Sequence, residues 1–166
     1  MKILITGVSG FIGFHLAKTL LKNKKNKVIG IDNYDDYYSV KLKKLRTSFL
    51  KKNNNFKFLK LDITEYKKLY DTLKLEKIDI VYHFAAQAGV RFTLKNPDKY
   101  FNVNFIGTLN IMEIIKLKKI PKCFFASSSS VYGDQKKYPL KENFEINEKN
   151  IYALTKKINE ESAKNY

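Results

Sequence analysis

The sequence predicts an α/β protein built on a doubly wound parallel sheet. Three observations predict it: short strands that are apolar almost throughout, helical patterns alternating with them, and a glycine-rich turn between the first strand and the first helix. Strands that are apolar on both sides need cover on both faces, which a parallel sheet with crossover helices supplies. Right-handed crossovers then distribute the helices over the two faces.

Lys2-Ile-Leu-Ile-Thr6 is the first strand, and Phe11 to Leu21 is helical, with Ile12, Leu16, Leu20 and Leu21 at helical spacing. Lys27 to Asp32 is the second strand. A polar, tyrosine-rich loop from Asn33 to Ser39 leads into a basic helix around Leu42 to Leu50. Phe56 to Leu61 is the third strand, and Thr64 is expected to cap a helix that reaches Leu73. Ile78 to Phe84 is the fourth strand. Asn96-Pro97 starts a long helix running to about Lys118, with the proline where its N–H would be unpaired anyway. Lys122 to Ala126 is the fifth strand, in which Cys123 reads as a small buried residue. After a polar loop, Ile151 opens a last helix expected to be still running at Tyr166.

At 166 residues the chain is one domain's worth, long enough to bury a core. It holds no apolar run long enough to span a bilayer, and Met1 leads directly into a strand pattern without a secretory leader. A single cysteine forms no internal disulfide, consistent with a reducing, cytoplasmic setting. The formal charge of +16 raises the question of nucleic acid or an anionic membrane. The lysines are scattered (Lys22, Lys24, Lys25, Lys27, Lys43, Lys44, Lys51, Lys52) and no aromatic reader motif gathers them, so compositional bias explains them better. No nucleic-acid partner and no membrane insertion are expected; a phosphate-bearing substrate would also suit positive charge.

Gly7-Val-Ser-Gly10-Phe-Ile-Gly13 follows a strand and opens a helix. Gly7 permits a tight turn, Gly10 lets the backbone approach a pyrophosphate, and Gly13 allows close helix–strand packing. The helix N-terminus offers N–H donors to the anion. Asp32 ends the next strand, where its carboxylate can bind a ribose 2′-OH and would repel a 2′-phosphate. No Arg or Lys lies within the glycine loop, so NAD is favoured over NADP. Tyr152 and Lys156, four residues apart on a helix, leave the same face, and an ammonium beside a phenol favours the phenolate. The serine run Ser127-Ser-Ser-Ser130 sits at the C-terminal end of the fifth strand, where open α/β sheets place ligands; a plain turn is the alternative. His83 reads as a core histidine and His15 as structural, with no ligand spacing around either that suggests a metal.

Gly-x-x-Gly-x-x-Gly with a downstream Tyr-x-x-x-Lys resembles the extended short-chain dehydrogenase/reductase family, the NAD-dependent epimerases and dehydratases of nucleotide sugars. The resemblance runs along all 166 residues. It implies a Rossmann-type NAD-binding domain over residues 1–166. Cofactor contacts are implied from Gly7, Gly10, Phe11, Ile12, Gly13, Asp32 and Asn33, and from Asp62-Ile63 at the adenine. Phe84-Ala85-Ala86-Gln87 would line the nicotinamide end, with Asn104 supporting the site and Tyr152 and Lys156 contacting cofactor as well as reacting. By position before Val131-Tyr132-Gly133, Ser128 would be the catalytic serine beside Tyr152 and Lys156, with Ser129 and Ser130 nearer the sugar. Dehydratases of the family carry an Asp-Glu pair and decarboxylases a glutamate in that loop; the serines here favour an epimerase.

Asp32-Asn-Tyr-Asp-Asp-Tyr-Tyr-Ser-Val-Lys-Leu-Lys43 and His83-Phe-Ala-Ala-Gln-Ala-Gly-Val-Arg-Phe92 look like the UDP-glucuronate 4-epimerases. Arg91 would meet an anionic sugar or diphosphate, or serve as a structural ion-pair partner. The implied reaction is transient oxidation at C4: tyrosine takes the 4-hydroxyl proton, NAD accepts hydride, and the 4-keto sugar turns over before hydride returns. Such a role belongs to carbohydrate metabolism, in cell-surface polysaccharide biosynthesis, and the family implies a homodimer at full length. UDP-glucose or UDP-N-acetylhexosamine epimerases, other nucleotide-sugar oxidoreductases, and a non-catalytic NAD-binding sensor are the alternatives. Family members run to about twice this length, so the chain reads as an N-terminal fragment or truncated product ending before a C-terminal substrate domain.

Overall fold

Because the first strand, β1 (Lys2–Thr6), is apolar on both sides, it takes a place where both faces are covered. The computed structural model, which describes residues 1–90 and 95–166, sets it in the middle of a five-stranded sheet. The other strands are β2 (Lys27–Asp32), β3 (Phe56–Lys60), β4 (Ile80–His83) and β5 (Cys123–Phe125). Their order is β3-β2-β1-β4-β5 and every pairing is parallel, with Leu4 opposite both Ile29 and Val81. The doubly wound parallel sheet predicted from the sequence is therefore the observed fold.

Alternation along β1 divides the core in two. Leu4 packs with Ile31, Val81, Leu69, Leu73, Ile111 and Ile114 on one face. Ile3 and Ile5 pack with Val8, Ala17, Val28 and Leu50 on the other. The helices that close these faces are α1 (Phe11–Leu20), α2 (Val40–Lys51), α3 (Tyr66–Leu73), α4 (Pro97–Tyr100), α5 (Gly107–Leu117) and α6 (Ile151–Ala163). The strand order reverses between β1 and β4. A crevice opens there at the carboxyl ends of the strands, the position at which such sheets hold ligands.

Several local expectations change. The helix expected to be capped by Thr64 begins at Tyr66, because Thr64 is committed to Asp62 through its N–H (2.9 Å) and its hydroxyl (2.8 Å). The single long helix is instead α4, a π-helical segment over Phe101–Ile106, and α5. The last helix stops at Ala163, short of Tyr166, whose hydroxyl donates to Glu113 (2.6 Å). Cys123 is exposed, because β5 is a three-residue edge strand paired only to β4. Among the described residues no helix is long and apolar enough to cross a membrane, and no cluster of His, Cys, Asp and Glu could hold a metal.

Candidate functional site

The glycine loop is shaped by close approach. Gly7 has φ +69°, and a Cβ there would lie 2.8 Å from the Ala85 nitrogen, against the chain leaving β4. A Cβ on Gly13 would lie 2.3 Å from the Gly7 carbonyl oxygen, so α1 rests directly on the loop. Gly10 N–H donates to Gly7 O (3.0 Å), which closes the turn and aims the start of α1 into the crevice. The crevice is a cavity of about 460 Å³. Gly7, Gly10, Phe11, Ile12, Gly13, Asp32, Asn33, Asp62, Ile63, Phe84, Ala85, Ala86, Gln87, Tyr152 and Lys156 all lie on its wall.

Asp32 is buried at the end of β2. Its Oδ2 accepts from Ser9 N–H (3.0 Å) and its Oδ1 from Tyr34 N–H (2.8 Å), which fixes the carboxylate and leaves each oxygen a further lone pair. Asp62 accepts from the Asn33 side chain (2.8 Å). Burial works to raise the Asp62 pKa, but the hydrogen bonds from Thr64 and Asn33, with the charge of Lys99, outweigh it and hold the carboxyl below its usual range. That end of the cavity thus presents fixed acceptors.

At the other end α6 brings Tyr152 and Lys156 together. Asn150 caps the helix, its Oδ1 accepting from Ala153 N–H (2.8 Å), and so sets where the first turn points. The Lys156 ammonium lies 5.9 Å from the Tyr152 ring centroid and donates to the Ala126 carbonyl (2.9 Å). Only 6% exposed, it is pushed down to about 8 by burial. An unfolded lysine titrates near 10.5. Between those values the unfolded chain holds a proton that the native one lacks, so this group makes stability rise with pH. Below 8 the buried charge costs about 3 kcal/mol. Lys156→Met should therefore melt higher than the parent at pH 7, the gap closing as pH approaches 10.5; thermal melts across that range check it.

A buried polar network sits behind the couple. Asn104, within the π-helical segment, accepts from Gln87 N–H (2.7 Å) and donates to Gln87 O (3.1 Å) and Thr155 Oγ1 (3.1 Å). It is fully buried and lies behind the cavity wall. Thr155 in turn donates to the Tyr152 carbonyl (2.7 Å). His83 is a core histidine, as expected. Thr6 takes the Ala85 N–H (3.1 Å) and Thr108 donates to Asn104 O (2.5 Å). That leaves His83 Nε2–H donating to Thr108 (3.0 Å) and Nδ1 accepting from Thr6 (2.6 Å), the neutral ring. Burial first, then the Lys156 charge, pushes its pKa down to about 3.

The serine run is split. Ser127 lines the cavity and donates to Glu160; Ser128 lies just behind, its Oγ accepting from Ser130 N–H (3.2 Å) in a 3₁₀ turn over Ser129–Tyr132. Ser128, Ser129 and Ser130 are not on the wall. Arg91 lies outside the described residues. His15 is exposed, edge-on to Phe11 (4.9 Å) and Phe14 (5.1 Å). The sequence reading gave no role to Tyr37, Tyr38 and Lys43, which lie in the stretch it singled out, and missed Arg46; all four are on the wall. The spacing of Lys43 and Arg46 put them on one helix face, but among so many lysines it carried no contrast.

Comparison with known proteins agrees with this fold. The family model of GDP-mannose 4,6 dehydratase matches residues 4–166. A UDP-glucuronate 4-epimerase of Thermodesulfobacterium geofontis is 43% identical over 93% of this chain and 47% of its own length. An uncharacterized protein of Methanocaldococcus jannaschii is 47% identical over 95% of this chain and 49% of its own. The structure of UDP-glucuronic acid 4-epimerase from Bacillus cereus with UDP-glucuronic acid and NAD superposes with TM-score 0.86 at 37% identity, over 97% of this chain and 50% of that one. A UDP-Glc/GlcNAc 4-epimerase of Campylobacter jejuni gives TM-score 0.89 at 29% identity, over 99% of this chain and 48% of that one. The chain spans about half the length of the relatives it matches. It belongs to the NAD-dependent epimerase/dehydratase family of extended short-chain dehydrogenase/reductases.

Proposed function

We propose that the protein is an NAD-dependent 4-epimerase of a nucleotide sugar, converting UDP-glucuronate to UDP-galacturonate. One observation carries the reading: Tyr152 and a buried Lys156 meet at one end of a cavity whose other parts fit a dinucleotide. The fit rests on the glycine loop, which a single Cβ would block, and on the fixed Asp32 carboxylate at the ribose position. Residues 1–166 are the NAD-binding part. Asp32 and Asn33 hold the adenosine ribose, Asp62-Ile63 the adenine, and Phe84 to Gln87 the nicotinamide side.

Bound NAD supplies reversible hydride acceptance. The chain's own groups do the rest. Tyr152 accepts and returns the proton of the sugar 4-hydroxyl, and the Lys156 ammonium beside it favours the anionic phenolate. By its place before Val131-Tyr132-Gly133, Ser128 is assigned to the same oxygen, on the resemblance alone, since Ser127 is the serine that lines the cavity. Ser129 and Ser130 leave the loop without the carboxylates that water elimination needs, which supports epimerisation over dehydration.

NAD titration of the intact protein by calorimetry, followed by product analysis with UDP-glucuronate, UDP-glucose and UDP-N-acetylglucosamine, tests the proposal. UDP-galacturonate from the first is the expected result. Inversion of the other sugars alone would transfer the assignment to UDP-glucose or UDP-N-acetylhexosamine epimerases. NAD binding without inversion of any would leave an NAD-binding sensor. A cytoplasmic homodimer belongs to the same reading, and sedimentation of the NAD-bound protein tests the assembly.

A further inference from the structure

The outer side of α2 mixes large apolar side chains with lysines, where a merely solvated helix face would be polar. Lys43, Thr47 and Leu50 are buried, three to four residues apart, and mark the inner face. Leu42, Leu45 and Phe49 repeat at the same spacing on the opposite side, 42%, 60% and 49% exposed. Lys41, Lys44 and Lys52 are exposed around them. The surface continues onto α1. Phe14 meets the Phe49 ring edge-on (5.8 Å), and the Lys18 ammonium lies 5.4 Å from the Phe49 centroid.

This face carries one sign of charge. From Met1 to Ile31 and from Tyr37 to Leu61 the chain has no Asp or Glu, and those stretches contain all of α1 and α2. The acids just before α2, Asp35 and Asp36, face Lys99 (2.7 and 4.0 Å). Among the described residues no ion pair takes Lys18, Lys41, Lys44 or Lys52. At the ends of α3 and α6, by contrast, Lys74 meets Asp71 (3.0 Å) and Lys164 meets Glu161 (2.8 Å). Compositional bias accounts for the number of lysines, but not for a face with cations, exposed leucines and no acid.

We propose that the α1–α2 face docks on an anionic lipid surface, Leu42, Leu45 and Phe49 entering the boundary between headgroups and acyl chains while the lysines meet the lipid anions. This is contact with one leaflet and involves no membrane-spanning helix. A nucleic-acid strand would use the cations, but gives leucine nothing to stack on. A second copy across a two-fold axis would set lysines against lysines. Leu42, Leu45, Lys41 and Lys44 do not line the cavity, so the inference stands apart from what the cavity binds.

The experiment is co-sedimentation with vesicles at physiological salt, one set of phosphatidylcholine and one of phosphatidylcholine mixed with phosphatidylserine. Three double variants accompany the parent: Lys41→Gln with Lys44→Gln, Leu42→Gln with Leu45→Gln, and Lys136→Gln with Lys137→Gln. The last pair removes the same charge from exposed positions in the loop after β5. All substituted side chains are exposed, and thermal melts confirm that each variant is folded. The parent is expected to pellet with the mixed vesicles and not with the neutral ones. Each α2 pair should weaken that binding about tenfold or more, since a lysine near an anionic surface contributes roughly fivefold and a buried leucine at least as much. The loop pair should stay within about twofold of the parent, because charges beyond a Debye length are screened. A parent that leaves the mixed vesicles unbound overturns the proposal. So does an equal loss in the loop pair, which makes net charge the cause, or full binding by the leucine pair, which makes it adsorption of cations alone. An oligonucleotide bound in place of the vesicles, or a parent dimer that the leucine pair dissociates without any vesicle binding, overturns it too and gives the face to nucleic acid or to a second copy.

Discussion

Tyr152→Phe should leave NAD binding within a few-fold of the parent and lower C4 inversion about 100- to 10,000-fold, the usual range for losing a positioned acid–base group. The aromatic ring stays, so the cavity wall keeps its shape and Thr155 keeps its bond to the residue 152 carbonyl (2.7 Å). Only the hydroxyl goes, and with it the group to which the proposed reaction gives the proton exchange with the sugar. Product analysis of UDP-glucuronate turnover beside an NAD titration separates chemistry from binding. Near-normal turnover would remove Tyr152 from the reaction. An equal collapse of NAD affinity would make it a packing residue.

The second large effect falls on the backbone. Gly13→Ala would put a Cβ 2.3 Å from the Gly7 carbonyl oxygen and 2.9 Å from the Val8 Cα, neither of which can swing away as a side chain would. The loop or α1 has to shift. Overpacking of this kind costs about 1–3 kcal/mol or more, and for a chain of this size each kcal/mol lowers the melting temperature by roughly 2–4 °C. The shift also displaces the N–H groups at the helix start, so NAD affinity is expected to fall together with stability. Melting curves and calorimetry on the same variant check both. A protein that melts like the parent would show that the loop is softer than its packing suggests.

The strand order and the glycine loop were legible because each rests on a local signal. Apolar strands of period two, helices between them and a strand–glycine–helix junction leave few topologies open. The Tyr152 and Lys156 pair was legible for the same reason, since four-residue spacing on a helix is local. What stayed hidden depends on distance. Lys43 and Thr47 reach Asp32 only through Ser9, a contact between α2 and the glycine loop that no spacing encodes. The placement of Ser127, and not Ser128, on the cavity wall follows from the 3₁₀ turn after it, in a run of four identical residues. The π-helical segment was invisible because Phe101–Ile106 has the composition of an ordinary helix.

That segment has a consequence of its own. A π turn holds one more residue than an α turn, so it acts as a one-residue insertion in a helical ruler. Everything after it is rotated by about 100° relative to a continuous α-helix. Asn104 can face the chain leaving β4 while α5 still turns Ile111 and Ile114 toward the core. Between Pro97 and Leu117 the chain is therefore constrained in its residue count as well as in its composition. Winding the same residues as a continuous α-helix would leave the helix unbroken and turn its two functions out of phase; deleting one residue within Phe101–Ile106 is what would let an α-helix keep both.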